Sequence, residues 1–178
     1  PTYELKLPSS NKKVRYRPFL VKEEKVLIIA LESKNSSDIT NAVTEVLKKC
    51  ILTKGINVDQ LPTFDIEYLF LNIRSKSIGE DIKITVTCPD DNETKVPVTI
   101  YVDEIKVVRQ KDHSTDIRLD DKMTLRMKYP SLNQFIETNF ETSDGSETVV
   151  EKTFKVVANC MDTIFTGEDA WEAKDYTL

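Results

Sequence analysis

The feature that most restricts the fold is residues 12–33, KKVRYRPFLVKEEKVLIIALES. Lys13, Arg15 and Arg17 alternate with Val14 and Tyr16, which places the basic residues on one side of an extended strand. Pro18 fixes its own φ and pushes Arg17 out of the α region, so the strand ends there and a helix can start. Glu23 and Glu24 suit a first helical turn, where the positive end of the helix dipole favours acid. The apolar run VLIIAL follows. Taken alone it also reads as a buried strand, but the unbroken frame 19–33, rich in Glu, Lys, Leu and Ala, favours helix. A helix apolar on all sides over its second half is expected to be surrounded, and this one is expected to be the central core element.

The rest of the chain is read around that helix. Tyr3, Leu5 and Leu7 alternate with polar residues, predicting a strand that the SSNKK turn joins to 14–17 as a hairpin. The next helix has Ser36 or Ser37 as its cap, Asp38 in its first turn and Lys48 and Lys49 in its last. Ile39, Ala42, Val43, Val46, Leu47, Cys50 and Ile51 form one face of it, expected to pack on VLIIAL. At about 1.5–3 kcal/mol per large side chain buried, such a face contributes on the order of 10 kcal/mol before entropy is subtracted. Thr63 is expected to cap a third helix over 64–75, with Ile66, Leu69, Phe70 and Ile73 inward.

At Glu80 the hydrophobic period changes from 3.6 to 2. Ile82, Ile84, Val86 and Cys88 alternate with polar residues, and Val96, Val98, Ile100 and Val102 repeat the pattern beyond PDDNETK, which predicts a hairpin. Pro97 cannot donate to a ladder, so its strand is expected at an edge. A charged connection over 103–116 leads to a second strand pair, 117–119 with Met123, Leu125, Met127 and Tyr129. The reading is therefore α+β: a helical body of about four main helices over 1–79 and 130–178, with an N-terminal β-hairpin and an antiparallel β-sheet inserted over 80–129. In the body's second part, Ser131 is expected to cap a short helix through Phe135 and Ile136, and 141–147 to form a polar loop. Thr148 and Glu151 fit a capping box for a last helix with Val150, Phe154, Val157, Cys160, Met161 and Ile164 on one face. Gly167 is expected to stop it, ahead of a tail holding Trp171.

The 178 residues, 39% of them hydrophobic, can bury a core as one domain or one domain with an insert. No apolar run nears the roughly 20 residues that span a bilayer, and the N-terminus lacks a signal-peptide core, which reads as cytosolic or as part of a particle assembled there. A net charge of −5 with dispersed Lys and Arg argues against nucleic-acid binding, including by the Lys13–Arg15–Arg17 row around Tyr16. Three cysteines at 50, 88 and 160 and one histidine, His113, suggest neither a disulfide framework nor a zinc site. Asp90, Asp91 and Glu93 lack the spacing and central glycine of a calcium loop. With one histidine as a base for any Ser or Cys nucleophile, no distinctive carboxylate pair and no phosphate-binding glycine loop, the chain reads as no enzyme, without cofactor or metal.

The segment RPFLVKEEK, 17–25, resembles the baseplate hub family of contractile-tailed bacteriophages. The N-terminal hairpin before it, the cysteine-ended helix LKKCI, the β-rich middle and the late VVANCMDTIF are similar to that family as well. The resemblance implies a late viral protein of the baseplate hub, or a hub-assembly factor, found in the virion and in the host cytoplasm during assembly. Its partners would be other hub and tail proteins, and a homo-oligomer is also allowed. It brings no catalytic residues. A transient chaperone for another tail protein, absent from the finished particle, is the alternative. Contacts are expected through the 17–25 surface and the 80–129 insert, where a partner can add a strand. The residues singled out are Arg15, Arg17, Pro18, Lys22, Glu23 and Pro97.

Overall fold

The structure, a computed structural model, describes residues 1–132, 134 and 148–173. It is α+β, with four α-helices among the described residues, an N-terminal antiparallel hairpin and two further antiparallel sheets. Two compact units are present, Pro1–Val58 with Phe64–Val108, and Asp59–Thr63 with Arg109–Leu178.

In the first unit β1 (Tyr3–Lys6) pairs antiparallel with β2 (Lys13–Tyr16), Tyr3 opposite Tyr16 and Leu5 opposite Val14. The alternation in the sequence carries through: Leu5, Val14 and Tyr16 are buried, while Glu4, Lys13 and Arg15 face outward. The chain after the second helix covers the other edge of β2. Arg17 N–H donates to the Cys50 carbonyl at 3.0 Å and Leu52 N–H to the Arg15 carbonyl at 2.8 Å.

Helix α1 (Val21–Ser33) ends at Lys34, whose φ of 54° turns the chain left-handed. The adjoining α2 (Ser36–Cys50) is capped by Asn35, whose Oδ1 accepts from Ser37 N–H at 2.9 Å and Asp38 N–H at 3.3 Å. This corrects the expected serine cap: both serines are already inside the helix, and Asn35 is the extended residue in front of it. Ala42, Val46, Leu47 and Cys50 form the buried face of α2 as expected. Helix α3 (Thr63–Ile78) buries Ile66, Leu69 and Ile73. It is tied to the hairpin by Asp65, fully buried, whose carboxylate accepts from both Ser9 N–H and the Ser9 hydroxyl.

Helix α1 is not the surrounded core element that its composition suggests. It packs on α2 and buries Leu27 and Ala30, but Ile28, Ile29 and Leu31 are exposed, Leu31 to 60%. Its apolar run circles the whole helix, and the unit offers a partner on only one side.

Strands β3 (Asp81–Thr87) and β4 (Lys95–Tyr101) form a two-stranded sheet of their own. Gly79, at φ 124°, makes the turn from α3 into it, a conformation that a side chain disfavours. In the second unit, β5 (Asp116–Arg118), β6 (Met123–Met127), β7 (Met161–Thr166) and β8 (Asp169–Glu172) form one antiparallel sheet in that order. The expected single insert over 80–129 is therefore two separate sheets. The boundary between units falls at Val108 and Arg109, because β6 pairs with β7, which lies far along the chain.

Helix α4 (Val149–Cys160) opens on the expected box, Thr148 Oγ1 accepting from Glu151 N–H at 3.3 Å and Glu151 from Thr148 N–H at 2.7 Å. It stops at Cys160, earlier than expected. Thr163, Ile164, Phe165 and Thr166 favour a strand, and β7 has pairing partners on both edges. Gly167 then serves the turn into β8, which holds Trp171. Ser131 and Gln134 exchange cap-like hydrogen bonds at 2.9 and 3.3 Å. The expected helix through Phe135 and Ile136 and the loop at 141–147 lie outside the described residues.

Candidate interaction surface

The corner between β2 and α1 is built on one ion pair. The Arg17 guanidinium donates to both Glu23 oxygens, at 2.8 and 2.9 Å, and to the Pro18 carbonyl at 2.8 Å. Glu23 also accepts from Leu20 N–H at 2.7 Å, so leucine at the helix start is served by the carboxylate three residues on. Glu23 is only 2% exposed. The forked hydrogen bonds from Arg17 hold its carboxyl down at about 2, helped by Leu20 N–H and the nearby charges of Arg17 and Lys22, against the opposing effect of burial. The Arg17 guanidinium is raised in turn, first by its bond to Glu23. Beneath them Cys50 is a buried core thiol pushed up to about 11 by desolvation.

The singled-out residues fall into two places. Arg15, Arg17, Pro18, Lys22 and Glu23 adjoin the corner, and Pro97 lies on β4. Arg15 and Lys22 are exposed and Pro18 is half-buried. Arg17 and Glu23 are spent on each other and shape the corner. That shape turns Lys22 outward beside Val21, which is 82% exposed.

The larger feature is apolar surface left uncovered. In the β3–β4 ribbon, Ile82 faces Ile100, Ile84 faces Val98 and Val86 faces Val96, so one side of the ribbon is a continuous apolar row. Ile84, Val86, Val96 and Val98 are all exposed. On α1 the outer residues are Val21, Ile28, Ile29 and Leu31, and on α4 they are Val150, Phe154 and Val157. The strand alternation shows the ribbon's apolar side in the sequence. That it is exposed among the described residues follows only from the fold.

The second unit has a cavity of about 480 Å³ lined by Met123, Ala158, Met161, Ile164 and Trp171, with the Trp171 indole N–H donating to Thr166 Oγ1 at 3.3 Å. The opposite sheet face carries Arg126, which grips Asp116 at 2.8 and 3.1 Å and lies 4.8 Å from the centre of the Phe165 ring. Among the described residues no three His, Cys, Asp or Glu side chains come together as metal ligands, and no helix is long and apolar enough to cross a membrane. What these surfaces can do chemically is bury themselves against other protein.

No curated protein and no solved structure matches the chain. The family described as T4 bacteriophage base plate protein matches over residues 1–178, the whole of it. The chain therefore belongs to the T4 bacteriophage base plate protein family.

Proposed function

We propose that the chain is a component of the baseplate hub, or a factor that assembles it, and that it works by protein–protein contact without catalysis. Family membership supports a role in baseplate structure or assembly and suggests other tail proteins as partners. The observation that carries the contact reading is the ribbon's uncovered Ile84–Val98 row. A two-stranded hairpin alone in water is marginally stable, so a partner that covers this side stabilises the ribbon and the complex together. The corner adds Arg15, Pro18 and Lys22 as contact residues, set in place by Arg17 and Glu23, and Pro97 marks the ribbon. In this reading the protein acts in the host cytoplasm during assembly and in the virion baseplate afterwards.

To test it, the chain is co-expressed with the other hub and tail proteins of its phage, and complexes are isolated by size. A stable complex that is lost when the β3–β4 ribbon is replaced by a short Gly-Ser turn supports the reading. Formation of the same complex without the ribbon removes the ribbon from it, and absence of any complex contradicts the reading as a whole. A second reading, a transient chaperone, is favoured by the spread of uncovered apolar surface over α1, the ribbon and α4. Mass spectrometry of purified particles separates the two, since a chaperone is absent from them.

A further inference from the structure

The two edges of the β3–β4 ribbon are not equivalent. Val102 N–H donates to the Glu80 carbonyl at 2.9 Å and Cys88 N–H to the Thr94 carbonyl at 2.8 Å, and both pairs continue the register of the ribbon. Hydrogen-bonded and non-bonded pairs alternate in an antiparallel ladder, so Ile82, Ile84 and Val86 bond inward to β4. Asp81, Lys83, Thr85 and Thr87 then turn their N–H and C=O groups to the open edge of β3. By the same alternation Pro97, opposite Thr85, lies at an outward position of β4. It takes no bond from the ribbon, but it interrupts the donors of β4's open edge. The β3 edge has no such break.

We propose that the open edge of β3 receives an extended segment of another baseplate protein, one that alternates apolar with polar residues and carries Lys or Arg at the end beside the 88–94 turn. The proposal rests on the contact reading above and assigns its edge and its partner's chemistry. The segment's apolar residues continue the Ile82–Ile84–Val86 row, and the rest of the partner covers the apolar side.

Charge and area both select such a partner over a second copy of this chain. The turn carries Asp90, Asp91 and Glu93. Asp91 is committed to the turn itself, accepting from the Thr94 hydroxyl, from Glu93 N–H at 3.0 Å and from Thr94 N–H at 2.9 Å. Asp90 and Glu93 are exposed. Antiparallel self-pairing of β3 brings this acidic turn beside Glu80 and Asp81 of the copy, whose neighbouring lysines, Lys76 and Lys83, are already engaged with them, whereas a basic segment end neutralises it. Strands of seven residues make a face about 23 Å long and about 10 Å wide. Two such faces bury about 460 Å² together, well short of the about 1,200 Å² that a stable interface needs.

The experiment uses the full chain and the complex it forms with co-expressed baseplate proteins of its phage. Thr85→Pro removes one outward donor of β3 and, like Pro97 across from it, no ladder bond. It is expected to weaken the complex at least about tenfold. Thr99→Pro, on the interrupted edge of β4, is expected to leave the affinity within about twofold, and circular dichroism reports whether both variants fold. Independently, the Lys83, Thr85 and Thr87 amides of the unaltered chain should exchange rapidly when free and at least about tenfold more slowly in the complex. This decides the matter if Thr85→Pro does not fold. If the complex forms but Thr85→Pro binds normally and these amides gain no protection, the β3 edge is overturned while the contact reading stands. If the unaltered chain forms no complex with any of these proteins, the contact reading fails and the inference fails with it.

Discussion

Arg17 and Glu23 are six residues apart, yet they form a forked pair, two parallel N–H···O bonds with the carboxylate 2% exposed. Removing one partner strands the other. Arg17→Ala is expected to cost about 3 kcal/mol in chemical denaturation, and Arg17→Lys is expected to recover only part because ammonium cannot form the fork. The pair also sets a pH dependence. The folded Glu23 carboxyl, at about 2, lies below its ordinary value near 4.5, so its contribution is fully present above that ordinary value and is lost as pH falls toward 2. The stability difference between the unaltered chain and Glu23→Gln should thus be largest near neutral pH and shrink between about 4.5 and 2. A difference that stays constant over that range contradicts this assignment. The residues of the pair were visible in RPFLVKEEK as a basic strand end and an acidic helix start. Their mutual commitment was not, because the turn at Pro18 that folds one back on the other is a matter of geometry.

At the scale of elements, local signals were legible and neighbours were not. The period-2 runs at Ile82–Val86 and Val96–Ile100 became β3 and β4, since alternation is a property of the strand itself. The face of α2 was equally plain. The helical pattern through Val150, Phe154, Val157 and Cys160 extends in phase to Met161 and Ile164, so nothing local marks where α4 gives way to β7. Pairing with β6 and β8 decides that point. Helix α1 shows the same limit, because VLIIAL states an affinity for burial without stating what is available to bury it. Two consequences follow for α1 and α2. Ile29→Ser on the outer face of α1 should change stability by less than about 0.5 kcal/mol, while Leu27→Ala on the inner face should cost about 2–3 kcal/mol. Asn35→Ala should cost about 1 kcal/mol by uncapping α2, with Ser36→Ala and Ser37→Ala close to neutral. Thermal or denaturant unfolding of each variant checks both.

For the whole molecule, each unit leaves large apolar side chains exposed among the described residues. The first unit buries one face each of the hairpin, α2 and α3, and leaves one side of α1 and one side of the ribbon exposed. The second organises a four-stranded sheet and leaves Val150, Phe154 and Val157 of α4 exposed. Exposed apolar surface of this kind mostly marks places where protein meets protein, which is the basis of the contact reading proposed above. The measurement that tests this most directly is the mass and affinity of the complex formed with co-expressed baseplate proteins, comparing the unaltered chain with the double variant Ile84→Thr, Val98→Thr. Threonine keeps the strand preference and removes apolar contact. The expected result is a folded variant whose complex is at least about tenfold weaker. A complex of unchanged mass and affinity would contradict docking through the ribbon's apolar row.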